Sequence, residues 1–342
     1  MKSTFSMTGA SIDIPHSLQE LPPKWAHFCL HIEQFVRDEL FFELGQKKLV
    51  VAFSGGVDST ALLLCLYYLS QKNNGNIIAA HLNHQLRPES TDDAVWAANL
   101  CSHLGITYIQ KDVDVASLAE KMGIGVEEAG RNARYNFFHS VKDDNQADAI
   151  AVGHHLGDLC EDVLMRLIRG TGWPGLSGME GWDEKRKLFR PFLLTNKGKL
   201  EAFLSTIGAT WREDLSNSDQ AWTRNRVRCT LLPLFLKENP NFPKSIARLW
   251  KLGRIDKAFW DDFTAETPST ILHKTLESSH QAVRLRMYKA ALDSIGKGQA
   301  LADTLFKLDE AWQENRVGVV FQFPNEKTAT ITSSGVVFSS KH

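Results

Sequence analysis

Ser54-Gly55-Gly56-Val57-Asp58-Ser59 is the segment whose residue types and spacing point most directly to chemistry. Two adjacent glycines let a backbone turn tightly and approach an anion with no Cβ in the way. Successive backbone N–H groups in such a turn form an anion-binding concavity. A helix starting behind it adds the positive end of its dipole. Ser54 and Ser59 offer hydroxyl hydrogens to phosphate oxygens. Asp58 adds like charge to a bare anion site, and makes sense when a Mg²⁺ lies between it and the phosphates. The segment is not a Walker A loop, because no Gly-Lys-Ser/Thr follows, and G-x-G-x-x-G is absent too. The plain structural alternative is an ordinary glycine turn before a helix.

Other residues gather around it along the chain. Asp158 and Glu161 stand at i and i+3, on one face of a helix. The plain reading of Asp158 is an N-cap. His154 and His155 follow an apolar run, where a strand would deliver them to the carboxyl edge of a sheet, the edge that holds ligands in open α/β folds. His84 follows another such run. Arg131 and Arg134 share a helix face, and Arg224, Arg226 and Arg228 crowd one short stretch. Guanidinium groups suit bidentate phosphate contacts. Their plain alternative is a solvated surface. Arg248 lies with Lys244, Lys251 and Arg254 near helical spacing, opposite Ile246, Leu249, Trp250 and Leu252. That pattern is an amphipathic helix, with or without a nucleic acid on its basic face.

The elements that must position these groups are readable from periodicity. Lys48–Phe53 and Ile77–Leu82 are short apolar runs that read as buried parallel strands, with Thr107–Lys111 and Ala149–Val152 as two more. Helices are expected over residues 24–44, 58–69, 91–104, 126–141 and 158–169. Strand–helix alternation at this spacing predicts a doubly wound, mostly parallel α/β sheet of Rossmann-like type. Glycine is dense from Gly170 to Gly181, marking a loop, and Arg190-Pro191-Phe192 could form a last edge element. From residue 225 onward the pattern is mostly helical, over 227–238, 243–262, 280–295 and 299–315. A C-terminal hairpin is expected, Gly318–Pro324 pairing with Thr328–Phe338 around Asn325-Glu326. The expected division is a lead-in over 1–23, a catalytic domain over 24–222 and a smaller, mostly helical domain over 223–342.

Composition sets the limits. A chain of 342 residues, 43% hydrophobic and 23% charged, fits a globular protein of about two domains. Cys29, Cys65, Cys101, Cys160 and Cys229 are scattered without a C-x-x-C, which argues against a disulfide scaffold or a zinc or iron–sulfur site. Free thiols fit the reducing cytoplasm. No signal peptide is expected at the N-terminus, and no apolar run long enough to span a membrane. The formal net charge is −1, yet residues 180–257 hold sixteen Lys and Arg against nine Asp and Glu. That basic stretch is either a solvated face or a nucleic-acid contact.

The loop Ser54–Ser59 resembles the PP-loop, S-G-G-x-D-S, of the ATP pyrophosphatase superfamily. Six further segments, in order, resemble the tRNA(Ile)-lysidine synthetase family. They are His81–Arg87; Glu127–Tyr135; His154–Asp162; Arg169–Gly172 with Arg190-Pro191; Asp214–Asn217; and Arg224–Arg228. The resemblance covers about residues 48–235. It implies a PP-loop ATPase fold and ligation of free L-lysine to C2 of the wobble cytidine of tRNA(Ile) with a CAU anticodon. The tRNA is adenylated on the way, and AMP and pyrophosphate leave. ATP and Mg²⁺ are the implied cofactors, and the cytoplasm the implied location.

The implied ATP contacts are Ser54, Gly55, Gly56, Val57, Asp58, Ser59, His84 and Arg131, with Asp58 as metal ligand. Asp158 and Glu161 fall in the lysine-binding region, where paired carboxylates suit an ammonium group. Those two, with Asp58 and His154, are the candidate catalytic residues. Arg134, Arg224, Arg226, Arg228 and Arg248 are the candidate tRNA contacts. Two positions depart from the family: Gly157 replaces an Asp, and Asp162 a Thr. The chain looks like the family's short form, and a homodimer stays open. A thiolase of the same superfamily and a catalytically degenerate ATP-binding protein are the rival readings.

Overall fold

In the computed structural model, which describes residues 14–85, 90–212 and 223–340, the runs KLVVA and NIIAAHLN become neighbouring parallel strands, β1 (Lys48–Ala52) and β2 (Asn76–Asn83). Every residue of β2 after Asn76 is buried. Such an unbroken apolar run belongs to a strand covered on both faces. The described residues through Arg169, with Gly178–Arg248, form one compact unit. Gly170–Ser177 joins the residues from Leu249 onward in a second.

The first unit is built on a six-stranded sheet of order β3-β2-β1-β4-β6-β5. Its other strands are β3 (Thr107–Asp112), β4 (Ala149–Ala151), β5 (Trp182–Asp183) and β6 (Leu188–Phe189). All pairings are parallel except β5 with β6. From β1 the chain winds outward through β2 to β3, then returns to lay β4 on the other side of β1. The topological switch point therefore lies between the carboxyl ends of β1 and β4, where doubly wound sheets bind ligands.

Helix α2 (Val57–Lys72) follows β1 and is buried from Ser59 through Leu69. Its sequence is apolar on all sides, as a fully enclosed helix must be. On the other side of the sheet, Val50, Ile78 and Ile150 pack with Phe137, Phe138 and Val141 of α5 (Val126–Asp144). The remaining helices of this region are α1 (Pro23–Leu40), α3 (Ser90–His103), α4 (Val115–Met122), α6 (Leu156–Ile168) and α7 (Lys197–Thr206). The expected helix over 24–44 stops at Leu40, because Phe41 takes a left-handed conformation (φ 55°) as its C-cap. Ile14 and Leu21, within the expected lead-in, are buried, while residues 1–13 lie outside the described set.

The next segment is helical in three pieces: α8 (Thr223–Arg226), a π turn (Val227–Leu231) and α9 (Leu232–Glu238). Then α10 (Phe242–Phe263) contains the division between the units. Ile246 and Trp250 are buried as its pattern predicts, but Leu252, expected beside them, is 58% exposed.

In the second unit, β7 (Thr270–Leu272), α11 (His273–Glu277), α12 (Gln281–Ser294) and α13 (Ala302–Gln313) precede β8 (Val320–Phe323), β9 (Lys327–Thr332) and β10 (Gly335–Ser340). The expected hairpin is one part of a four-stranded antiparallel sheet, β7-β10-β9-β8. Thr328–Phe338, read as one strand, is divided by a turn at Ser333-Ser334. Tyr288, Leu292, Leu308, Ile331, Val336 and Phe338 form this unit's core.

Candidate active site

The glycine loop closes the gap between β1 and α2. Gly55 is left-handed (φ 88°), a conformation that costs most residues energy and glycine none. Gly56 is the N-cap of α2, so the helix start faces the loop. Inside the turn, the Ser59 hydroxyl donates to the Gly56 carbonyl (3.0 Å) and accepts from the Ser54 N–H (3.2 Å). Ser59, expected to hold phosphate, thus ties the loop together. Thr60 adds a hydroxyl bond to the Gly55 carbonyl (3.1 Å).

The second half of the site arrives from β4. At Gly153 a Cβ would stand 3.0 Å from the Asp58 carbonyl oxygen and 3.3 Å from the Ser59 nitrogen. Glycine therefore lets the β4 end lie directly against the phosphate loop. His155 then caps α6, its Nδ1 accepting the Gly157 N–H (2.9 Å). Asp158 completes a capping box by accepting the His155 N–H (2.9 Å). The N-cap is thus His155, and Asp158, expected at that place, is N3, with its other oxygen facing arginines.

Those arginines come from α8 and the π turn. Glu161, 2% exposed, receives Arg224 Nε (3.0 Å), Arg228 Nε (2.6 Å) and Arg228 Nη2 (3.0 Å). Asp158 Oδ1 lies 3.3 Å from an Nη2 of each arginine. Arg224 and Arg228 are four residues apart and share a face, whereas Arg226 is exposed and donates to Thr223 Oγ1 (3.0 Å). The three arginines expected to act together on RNA are divided: two bind carboxylates. Charge type alone does not distinguish a phosphate partner from a carboxylate.

Burial raises the Asp58 carboxyl above its usual range, opposed by the charges of His155 and Lys197. Its Oδ1 is buried with no hydrogen-bond partner. For Asp158, burial pushes upward too, but His155, His154, the His155 N–H and Arg224 outweigh it and hold the carboxyl low. Burial and the Arg190 charge drive His154 down to about 3, so it is neutral near pH 7. Arg190 Nε donates to His154 Nδ1 (3.0 Å), and Arg190 Nη1 to the Glu180 carbonyl (2.6 Å). The proton of the His154 ring is therefore on Nε2, which makes it a donor as it stands.

The remaining expected residues lie apart from this cluster or at its rim. Arg134 Nη2 meets His84 Nε2 (3.1 Å), and His84 packs on α5 at Gly130. Arg131 lies over the Tyr135 ring (5.0 Å), yet its charge still reaches His154. Arg248 is exposed and donates to Ser245 Oγ (3.2 Å). Arg87 and Asp214–Asn217 fall outside the described residues. Asp162 pairs with Arg166 (2.7 Å), an ordinary i, i+4 ion pair on α6. His155, expected with His154 at the ligand edge, lies at this cluster, and Arg190, on His154, and Lys197, whose charge reaches Asp58, join it although the spacing of charges did not single them out. Their signals were the second His of His154-His155, the Arg190-Pro191 turn and the start of α7.

A PP-loop domain family matches residues 10–235. The chain is 45% identical over 316 residues to the tRNA(Ile)-lysidine synthase of Nitratidesulfovibrio vulgaris, covering 85% of this chain and 91% of that one. It is 38% identical over 205 residues to the tRNA(Ile)-lysidine synthase of Clostridioides difficile, covering 59% and 44%. The match to the Clostridium tetani protein of the same name likewise spans 55% of that chain, so against these two this chain covers about half their length. Among solved structures, the U34-tRNA thiolase NcsA from Methanococcus maripaludis superposes with a TM-score of 0.54 at 20% identity, over 66% of this chain and 78% of that one. That likeness is one of fold.

Proposed function

The chain belongs to the PP-loop family of tRNA(Ile)-lysidine synthases, and from that premise we propose that it joins free L-lysine to C2 of the wobble cytidine of tRNA(Ile) with a CAU anticodon. ATP is converted to AMP and pyrophosphate. The observation that carries this reading is one of placement. A glycine loop shaped for phosphate and a buried acid pair that already gathers two guanidiniums meet at one switch point, with the His155 ring facing both Asp58 and Asp158.

The chemistry has two steps. The cytidine C2 oxygen is a poor leaving group, so it first attacks the α-phosphate of ATP, in line with departing pyrophosphate. The loop N–H groups and the α2 start offset charge on that leaving group. The lysine ε-amine, as the neutral amine, then attacks C2 and AMP departs with the oxygen. Asp158, held ionised, orients the amino acid through its ammonium, and His154 Nε2–H donates to a substrate oxygen. The wobble base reaches the site by leaving its stack, which an anticodon loop permits. Arg226, Arg248 and Arg134 remain the candidates for RNA phosphates, and Arg131 for ATP.

Asp58 Oδ1, buried and without a hydrogen-bond partner, is the atom that would hold a Mg²⁺ at the loop. No cluster of three acidic, His or Cys ligands occurs among the described residues, and Mg²⁺ commonly relies on one or two carboxylates plus phosphates and water. It would supply charge neutralisation at the departing pyrophosphate. For the thiolase reading, Cys160 is a poor nucleophile, since burial pushes its thiol up to about 12, while Cys229 is exposed.

The test incubates the protein with ATP, Mg²⁺, radiolabelled lysine and a CAU-anticodon tRNA(Ile). Label in RNA matched by AMP is the expected result. AMP without label moves the substrate elsewhere in the superfamily, and ATP binding with neither product points to a degenerate site.

A further inference from the structure

His155 stands where two functional groups approach each other. Because its Nδ1 accepts the Gly157 N–H (2.9 Å), Nε2 is the ring nitrogen left to carry a proton outward. That Nε2 lies 3.7 Å from Asp58 Oδ2, on the phosphate loop, and 3.6 Å from Asp158 Oδ2, in the acid pair. The ring is buried, and these two carboxylates face its Nε2.

Gly157 sets the orientation of that ring. A Cβ at position 157 would stand 2.6 Å from His155 Cε1 and 3.0 Å from Nδ1, closer than real Cβ contacts allow. Capping by itself does not need the glycine. His280 caps α12 through the Ala282 N–H (3.2 Å) from an exposed position, with alanine two residues on. Asn196 caps α7 through the Gly198 N–H (2.9 Å), and a Cβ at 198 would meet its Oδ1 at an ordinary 3.6 Å. What glycine at 157 uniquely permits is an imidazole folded back between Asp58 and Asp158.

We propose that His155 is a positioning residue for the reaction, its Nε2 edge lying between Asp58 and Asp158, outside hydrogen-bond distance of either, and steering the two carboxylates through its electrostatic field, and that Gly157 is present to allow it. The inference rests on the reading of the site as a lysine-ligating one. It also gives the departure at 157 a physical meaning. Where the family pattern has an aspartate, its Cβ would displace the ring. This chain has an imidazole edge facing both Asp58 and Asp158 in place of that carboxylate.

The test is a double-mutant cycle on His155→Asn and Gly157→Ala in the full chain. Asparagine is among the best N-caps, so it keeps the helix cap but does not reach Asp58. His155→Asn is expected to lower kcat about tenfold or more, with KM for ATP and the thermal midpoint little changed. Gly157→Ala should cause a similar fall when made alone and almost none when added to His155→Asn. Unchanged kcat in His155→Asn, or additive effects in the double variant, overturns the proposal. A second readout does not depend on activity. In ¹⁵N-histidine spectra, His155 of the wild-type chain should show the Nε2–H tautomer, and Gly157→Ala should alter its signal. An Nδ1–H tautomer in the wild-type chain overturns the proposal even if the lysine assay fails, whereas failure of that assay alone counts against the proposed function.

Discussion

At the scale of single residues, the site is defined by how unlike its titratable groups are. Asp58 is raised by burial, Asp158 is held low by its neighbours, and His154 is driven to about 3. Asp58 therefore weakens the fold when ionised. Asp58→Asn should leave the thermal midpoint unchanged or higher at pH 7.5, while AMP formation falls on the order of a hundredfold. A lower midpoint together with normal AMP formation would sink the assignment of Asp58 to the phosphates. His154 gives a pH prediction. Its folded value lies below the unfolded 6.5, so the unfolded chain binds the extra proton. The contribution is complete above pH 6.5 and is lost as pH falls from 6.5 toward about 3. The slope is about 1.4 kcal/mol per pH unit for this one group. Urea denaturation at pH 7, 6 and 5 should show that slope, and His154→Gln should flatten it. Gly157 shows what single letters conceal. Its missing carboxylate reads as a loss in the sequence, while its missing Cβ gains meaning only beside the His155 ring.

At the scale of elements, Glu161 fastens the α8–π-turn segment to α6. It is 2% exposed and accepts from both Arg224 and Arg228. Removing one partner of a buried ion pair is destabilising because the other charge is left behind. Here the arginine side chains are 28% and 36% exposed, which screens that effect. Glu161→Gln should thus cost only about 1–2 kcal/mol. Its clearer signature is faster amide exchange over residues 223–231 with α2 unaffected, and uniform exchange across both elements would argue against a local clamp. The strands β1, β2 and β4 and the helices behind them were readable from periodicity, because the sheet buries them on both faces. The strands β5 and β6 were not, since two residues carry no period. Helix α4 was missed because it has only eight residues and owes its ends to Asp114 as N-cap and Gly123 as C-cap. The arginine contacts were unreadable for another reason: they join residues more than sixty positions apart, and nothing in either segment names its partner.

At the scale of the whole molecule, the phosphate loop, acid pair and arginine clamp all fall in the first unit, and each unit has its own core. The second unit's stability depends on a buried ionic network. Asp309, 0% exposed, accepts from Arg284 Nε (2.7 Å) and Nη2 (2.8 Å), with Gln313 (2.8 Å), Gln281 (3.2 Å) and Tyr288 (3.3 Å) completing its shell. Lys327, also 0% exposed, donates to the carbonyls of Leu292, Gly296 and Gly298 at the end of α12. Asp309→Ala leaves the Arg284 guanidinium enclosed without its carboxylate, a change expected to cost about 3–5 kcal/mol. Asp309→Asn keeps the volume and some of the acceptors and should lose less. If the second unit, from Leu249 onward, grips the tRNA, Asp309→Ala should raise KM for tRNA several-fold. ATP affinity, which depends on Ser54–Ser59 and Asp58, should stay at its wild-type value. Calorimetry of both variants, with ATP and tRNA titrations, tests this directly. Equal loss of ATP and tRNA binding would mean that the second unit supports the catalytic fold rather than the RNA.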